Sequence, residues 1–270
     1  MKKKKKASIL LLLLLCVYLL LPFAVTLVYS LFTEWTGILP SGFTLRNYKL
    51  LFFDAEFWMS LMRTMLICII SVVASITTLL LAMYVVVVEY PFLAKYIQFI
   101  CMIPYALQGV ILSISIVSLY SGTGTLFSNR MLMLFGAYGV LVLPYIFQGI
   151  RNNINAINTQ MLMNAAKMLG CSPLKAYFKV VVPNILPGIF VSSLLSVSVI
   201  FGDFVLANNI AGNSYQNIQV YLFRKLSISS GLSSAVVVVI FLMVFLMTGM
   251  VLLLQGIHQK KEKNNGVYRD

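Results

Sequence analysis

The stretch NAAKMLGCSPLKAYFKVVVPNILPG, residues 164–188, decides how the rest of the chain is read. It carries three lysines, three prolines and a Gly170-Cys171-Ser172 break inside an otherwise strongly apolar chain. Over 157–169, Met161, Ala165 and Met168 fall at i, i+4 and i+7, with Leu162, Ala166 and Leu169 beside them, which predicts a short amphipathic helix. Gly170 then stands where a helix end calls for left-handed backbone. Ser172 and Pro173 predict a restart, serine as N-cap and proline at the first helical position. The second helix, about 173–182, is expected to end at Pro183, with Lys175 and Lys179 four residues apart on one face. Asn184-Ile185-Leu186-Pro187 then leads into a new apolar run.

Outward from this segment the composition sets the class. Of 270 residues, 60% are hydrophobic and 10% charged. Soluble domains carry about 25% charged residues, so the chain reads as a membrane protein. Its net charge of +13 does not suggest nucleic acid, because the basic residues sit between apolar runs and not along one polar face. Four cysteines (Cys16, Cys68, Cys101, Cys171) have no CxxC spacing, and three lie in apolar runs, which argues against a disulfide framework or a zinc site.

A membrane crossing takes about 20 apolar residues. Six candidates meet this: 7–32, 59–88, 97–119, 131–150, 185–207 and 233–257. The first is preceded by Lys2–Lys6, as a signal peptide would be, but its apolar run is far longer than the signal core of about 7–15 residues, so a retained helix is expected. With the N-terminus inside, fourteen of the 20 lysines and arginines fall on the cytoplasmic side, from Lys2–Lys6, Lys95, Arg151 and the loop lysines to Lys260–Arg269. The positive-inside rule then predicts both termini in the cytoplasm and an inner loop 151–184 containing the opening segment. By physics alone that loop is either a docking hairpin for a partner protein or an amphipathic anchor on lipid headgroups.

The loop resembles the EAA loop of ABC importer permeases, whose pattern is E-A-A, three residues, G, nine residues, then I-x-L-P. Here the matching residues are Asn164-Ala165-Ala166, Gly170 and Val180-Val181-Val182-Pro183. Asn164 replaces the usual glutamate, so it can hydrogen-bond but cannot make the family's charged contact. The stretches FTLRNYKLLF (43–52), FWMSLMRTM (57–65), MIPYALQGVIL (102–112) and FGDFVLANNIAG (201–212) are similar to the polyamine, ferric-iron and phosphonate permeases of that group, with Arg63 where asparagine is common. The resemblance implies that Asn164, Ala165, Ala166, Gly170 and Pro183 belong to an ATPase-coupling loop. It also implies two cytoplasmic ATPase subunits, a second permease (homologous or identical) and an extracytoplasmic substrate-binding protein.

No Gly-Lys pair or Walker-type loop occurs, nor do HExxH or G-x-S-x-G. The chain is therefore expected not to be an enzyme and to bind no cofactor or metal, with ATP and magnesium on the partner ATPase. Its single histidine, His258, reads as a solvated residue at a helix end. For the substrate pathway, Asp203 is the one acidic residue inside an apolar span, either attracting a cation or capping the turn before Asn208-Asn209. Pro104 with Gln108, and Pro144 with Gln148, interrupt the third and fourth runs, where prolines often mark broken backbone near a pathway. Tyr105 and Tyr145 follow those prolines as candidates for the pathway or for packing. Ser192, Ser193, Ser196 and Ser198 read as helix-packing hydroxyls.

The expectation is an all-α polytopic protein of the cell (inner) membrane, one permease domain over 1–270, forming half of the pathway of an ABC importer. A polyamine of the spermidine or putrescine type is the first substrate, with ferric iron or an organophosphonate as alternatives. An ion-gradient secondary transporter predicts ionisable residues at the midplane and internal repeats, and neither is evident. A membrane scaffold would use the inner loop as a headgroup anchor.

Overall fold

A computed structural model of the protein describes residues 2–34, 41–107, 109–122, 124, 126–212 and 214–266. The chain is almost wholly helical: α1 (Lys2–Ser30), α2 (Arg46–Phe53), α3 (Ala55–Val88), α4 (Ala94–Ala106), α5 (Gly109–Tyr120), α6 (Arg130–Ala156), α7 (Thr159–Met168), α8 (Pro173–Ala176), α9 (Val182–Gly202), α10 (Ile218–Leu226) and α11 (Ser230–Gly266). One small antiparallel pair, β1 (Phe32–Glu34) with β2 (Ser41–Phe43), was not foreseen; Phe32 and Phe43 face each other across it.

Among the described residues, four helices are long and apolar enough to cross a membrane: Leu11–Ser30, Ala55–Val88, Arg130–Ala156 and Pro173–Gly202. The predicted third span, 97–119, is instead a pair of helices, Pro91–Ala106 and Gly109–Tyr120, bent 101° from one another. Pro104 near the end of α4 and glycine at the start of α5 account for a break, since neither residue favours helix continuation. Counting that pair as one span gives five; α11 is apolar over Ser230–Leu246, the part of it for which consecutive side chains are described. The structure thus supports a polytopic all-α protein without establishing six crossings.

Residue contacts divide the chain into two compact units, 1–59 with 221–246, and 60–220 with 247–270. In the first, Asn47 reaches back to the end of α1, donating to the Ser30 carbonyl at 3.1 Å, and the Ser30 and Tyr48 hydroxyls pair at 2.6 Å. Asp54 forms the elbow between α2 and α3. Its Oδ1 accepts the Glu56 amide at 2.9 Å, while Oδ2 accepts the Tyr221 hydroxyl at 2.8 Å and Lys225 Nζ at 2.9 Å. Burial raises the Asp54 pKa, but the bonds from Lys225, Tyr221 and the Glu56 amide outweigh it and leave the carboxyl below its ordinary 3.8.

The second unit is organised by α6. Ser71 and Ser75 of α3 donate to the Phe135 and Gly139 carbonyls of α6 at 3.3 and 3.0 Å, hydroxyl bonds of the kind that join helices in lipid. The core side chains Leu134, Val142, Ile146 and Ile150 of α6, with Ile185 and Ile200 of α9, are fully buried. The helices α6 and α9 meet through glycines: a Cβ on Gly149 would collide with Ser192, and one on Gly188 with the Asn153 side chain.

Pro183 does not end a helix. Residues Pro173–Gly202 run on as one helix, so the helix that carries the predicted fifth span begins earlier than 185. The reason is a π turn at Tyr177–Val181, where the Val182 amide bonds the Tyr177 carbonyl five residues back. A widened turn relieves the clash that a proline ring makes with the preceding coil. The Asn184 side chain adds a bond to the Val180 carbonyl at 2.7 Å.

Candidate functional site

The loop predicted from 164–188 is a helical hairpin packed on α3. Asn158 caps α7, its Oδ1 accepting the Met161 amide at 3.1 Å. At the other end Cys171 N bonds the Ala166 carbonyl (3.0 Å) and Gly170 N the Lys167 carbonyl (2.9 Å), with Gly170 at φ +81°. This is a Schellman turn, which needs left-handed backbone at its C′ residue. Ser172 occupies the next N-cap in extended geometry, but its side chain makes no capping bond; Pro173 at the first position supplies the restart.

The hairpin's core is Met163, Ala166, Ala176, Tyr177 and Val181, packed against Tyr84, Val87 and Val88 of α3. The Tyr177 hydroxyl donates to the Leu80 carbonyl at 3.0 Å, and its ring meets Tyr84 edge-on at 5.4 Å. Ala166 therefore faces inward, whereas Asn164, Ala165 and Gly170 are exposed. Met168 and Leu169 are 89% and 85% exposed. Pro183, also exposed, lies within the long helix beyond this core.

The pathway candidates separate into two places. Tyr105, Tyr145 and Gln148 come together: the two rings pack edge-on at 5.4 Å, and Gln148 Nε2 donates to the Tyr105 hydroxyl at 3.4 Å. Tyr145 and Gln148 line a cleft of about 370 Å³ between α6 and α9, with Gly149 and Gly188 also in its lining. Sequence reading missed Asn152 and Asn153, which line it as well, and took Ser192 for a packing residue; Ser192 is buried and bonds the Gly188 and Ile189 carbonyls, yet also borders the cleft. Tyr145, Gln148 and Asn152 fall at i, i+3 and i+7, a stripe on one helix face that the heptad spacing shows once α6 is extended beyond 150.

Asp203 stands apart. Its Oδ2 accepts the Tyr138 hydroxyl at 3.1 Å and the Leu206 amide at 3.0 Å. The second bond, three residues on, is N-cap geometry, so of the two roles weighed for it the carboxylate is engaged as a cap. Asn217 Nδ2 also holds the Asp203 carbonyl at 3.3 Å. Gln108 lies outside the described residues, as do Arg269 and the side chain of His258. The guanidinium of Arg63 rests over the Tyr215 ring at 5.6 Å, and the Tyr215 hydroxyl donates to the Arg63 carbonyl at 2.8 Å.

Residues 69–259 match the family of binding-protein-dependent transport system inner membrane components. The chain belongs to that family. The match begins in α3 and runs through α4–α9 into α11, so it contains the hairpin and the cleft. A permease of Salmonella typhimurium named PhnV, for 2-aminoethylphosphonate transport, is 26% identical over 69% of this chain and 70% of its own. The Shigella flexneri spermidine/putrescine permease PotC is 23% identical over 92% of each chain. The Mycoplasma genitalium PotC homolog is 26% identical over 64% of this chain and 61% of its own. This membership makes the protein a multi-pass membrane permease of an ABC importer, not an enzyme.

Proposed function

We propose that the chain forms half of the translocation pathway of an ATP-driven importer for small solutes bearing a primary alkylammonium, polyamines first. The carrying observation is the α7 hairpin. Its inner face is locked to α3 through Tyr177 and the Met163–Ala166 core, while Met168 and Leu169 at its tip stand almost fully exposed. Exposed methionine and leucine beside small residues form an adaptable docking face. In this reading α7 seats in a cytoplasmic ATPase that carries ATP and magnesium, and a rigid connection to α3 passes its movement to the spans. A second permease completes the pathway, an external binding protein delivers substrate, and both termini are cytoplasmic.

The substrate class rests on two relatives. The substrates for which PhnV and PotC are named, 2-aminoethylphosphonate and spermidine or putrescine, share a primary amine on a short alkyl chain. Asn164 supplies a hydrogen-bonding but uncharged contact to the ATPase. Co-purification tests the docking assignment: Met168→Glu and Leu169→Glu are expected to release the ATPase from the solubilised complex, with permease yield maintained. Full retention of the ATPase by both variants overturns it.

A further inference from the structure

The α6–α9 cleft has a chemistry that the importer reading leaves unassigned. Gln148 and Asn152 are exposed on a helix long and apolar enough to cross a membrane. An amide turned to hydrocarbon is costly, so this face of α6 lies against protein or water. The cleft's volume of about 370 Å³ falls within the range of small-molecule sites, about 300–1,000 Å³.

Its lining side chains carry no formal charge. Arg151, on the same helix, is stacked over the Phe147 ring at 5.9 Å. Asn153 is committed to the helix crossing, its Nδ2 donating to the Gly149 carbonyl at 2.9 Å. Gln148 spends an N–H on Tyr105, which leaves its Oε1 as an acceptor. What the cleft offers is therefore amide oxygens from Gln148 and Asn152 beside the paired rings of Tyr145 and Tyr105.

An ammonium group has three donors and no acceptor, and it is attracted to aromatic faces. We propose that this cleft is a transit site that receives the primary ammonium end of a short alkylamine, held by the Gln148 and Asn152 amide oxygens and the Tyr145 ring, against which Tyr105 packs edge-on. The assignment rests on the importer reading above. Uncharged ligation suits transit, because a conducting site must bind strongly enough to admit its cargo and weakly enough to release it.

Two measurements on the complete importer test the site. In proteoliposomes, Gln148→Lys places a fixed cation in the cleft and is expected to cut putrescine uptake at least about tenfold, equivalent to about 1.4 kcal/mol. Gln148→Glu is expected to lower the KM for putrescine. Equal behaviour of the two variants overturns the site, since a structural glutamine would not distinguish the signs. In detergent, Val191→Cys on the α9 wall, with Cys16 and Cys171 changed to serine, is expected to be protected from alkylation by putrescine but not by ethylphosphonate. Absence of protection also overturns the site. Protection without ATP-driven uptake by the unmodified complex would instead uphold the site and sink the importer substrate reading.

Discussion

Gly149 and Gly188 stand where α6 and α9 meet, and the reason for glycine there is steric. A Cβ at Gly188 would enter the Asn153 side chain, and one at Gly149 the Ser192 side chain. Gly188→Ala is therefore expected to destabilise by about 1–3 kcal/mol, the range for overpacking, read as a lower thermal midpoint in detergent. Adding Asn153→Ala should recover part of that loss, because it removes the colliding group. Asp54 gives a second residue-level expectation. A carboxyl held below its unfolded value stabilises the fold above that value and loses its contribution as pH falls through the folded one. Melting curves of wild type and Asp54→Asn should differ by a constant amount at neutral pH and converge below the ordinary 3.8. Burial and the Asp54 and Glu56 carboxylates raise the Tyr221 pKa, so Tyr221 stays a donor throughout that range. None of these partnerships is legible locally: Asp54 and Lys225 are 171 residues apart.

Among the elements, α7 was the most legible. The i, i+4, i+7 pattern, Gly170 and Pro173 each have a local physical cause, and the helix, Schellman turn and restart follow from them. The pattern did not say which side faces inward. Ala166 was grouped with Ala165 as a docking residue, and packing against Tyr84, Val87 and Val88 buries it while Ala165 stays exposed. Gly170→Val is expected to cost about 1–2 kcal/mol, the penalty for a side chain in left-handed backbone; a thermal melt checks it, and no such loss would mean that the turn changes form. The end of the second helix was misjudged for a different reason. Pro183 is a helix breaker by propensity, but a π turn just before it admits the ring, and π turns have no sequence signature in a run such as YFKVV.

For the whole molecule, class and topology rest on bulk quantities. Apolar content and run length mark a polytopic membrane protein, and the lysine and arginine bias predicts its orientation. A fluorescent reporter that matures only in the cytoplasm should be bright when fused after residue 270 and dark when inserted at 213; the reverse pattern overturns the orientation. The leucines of α1 from Leu11 to Leu21 are exposed, on a helix long and apolar enough to cross a membrane. The amino-acid sequence by itself determined the membrane class, the helical hairpin around Gly170 and the family resemblance, because hydropathy, capping and glycine geometry act over a few neighbouring residues. The tertiary structure alone decided that Tyr105 packs against Tyr145 and Gln148 beside the α6–α9 cleft, and that Asp203 caps a turn away from it. Those depend on which helix faces meet, and contact between residues tens of positions apart leaves no local pattern to read.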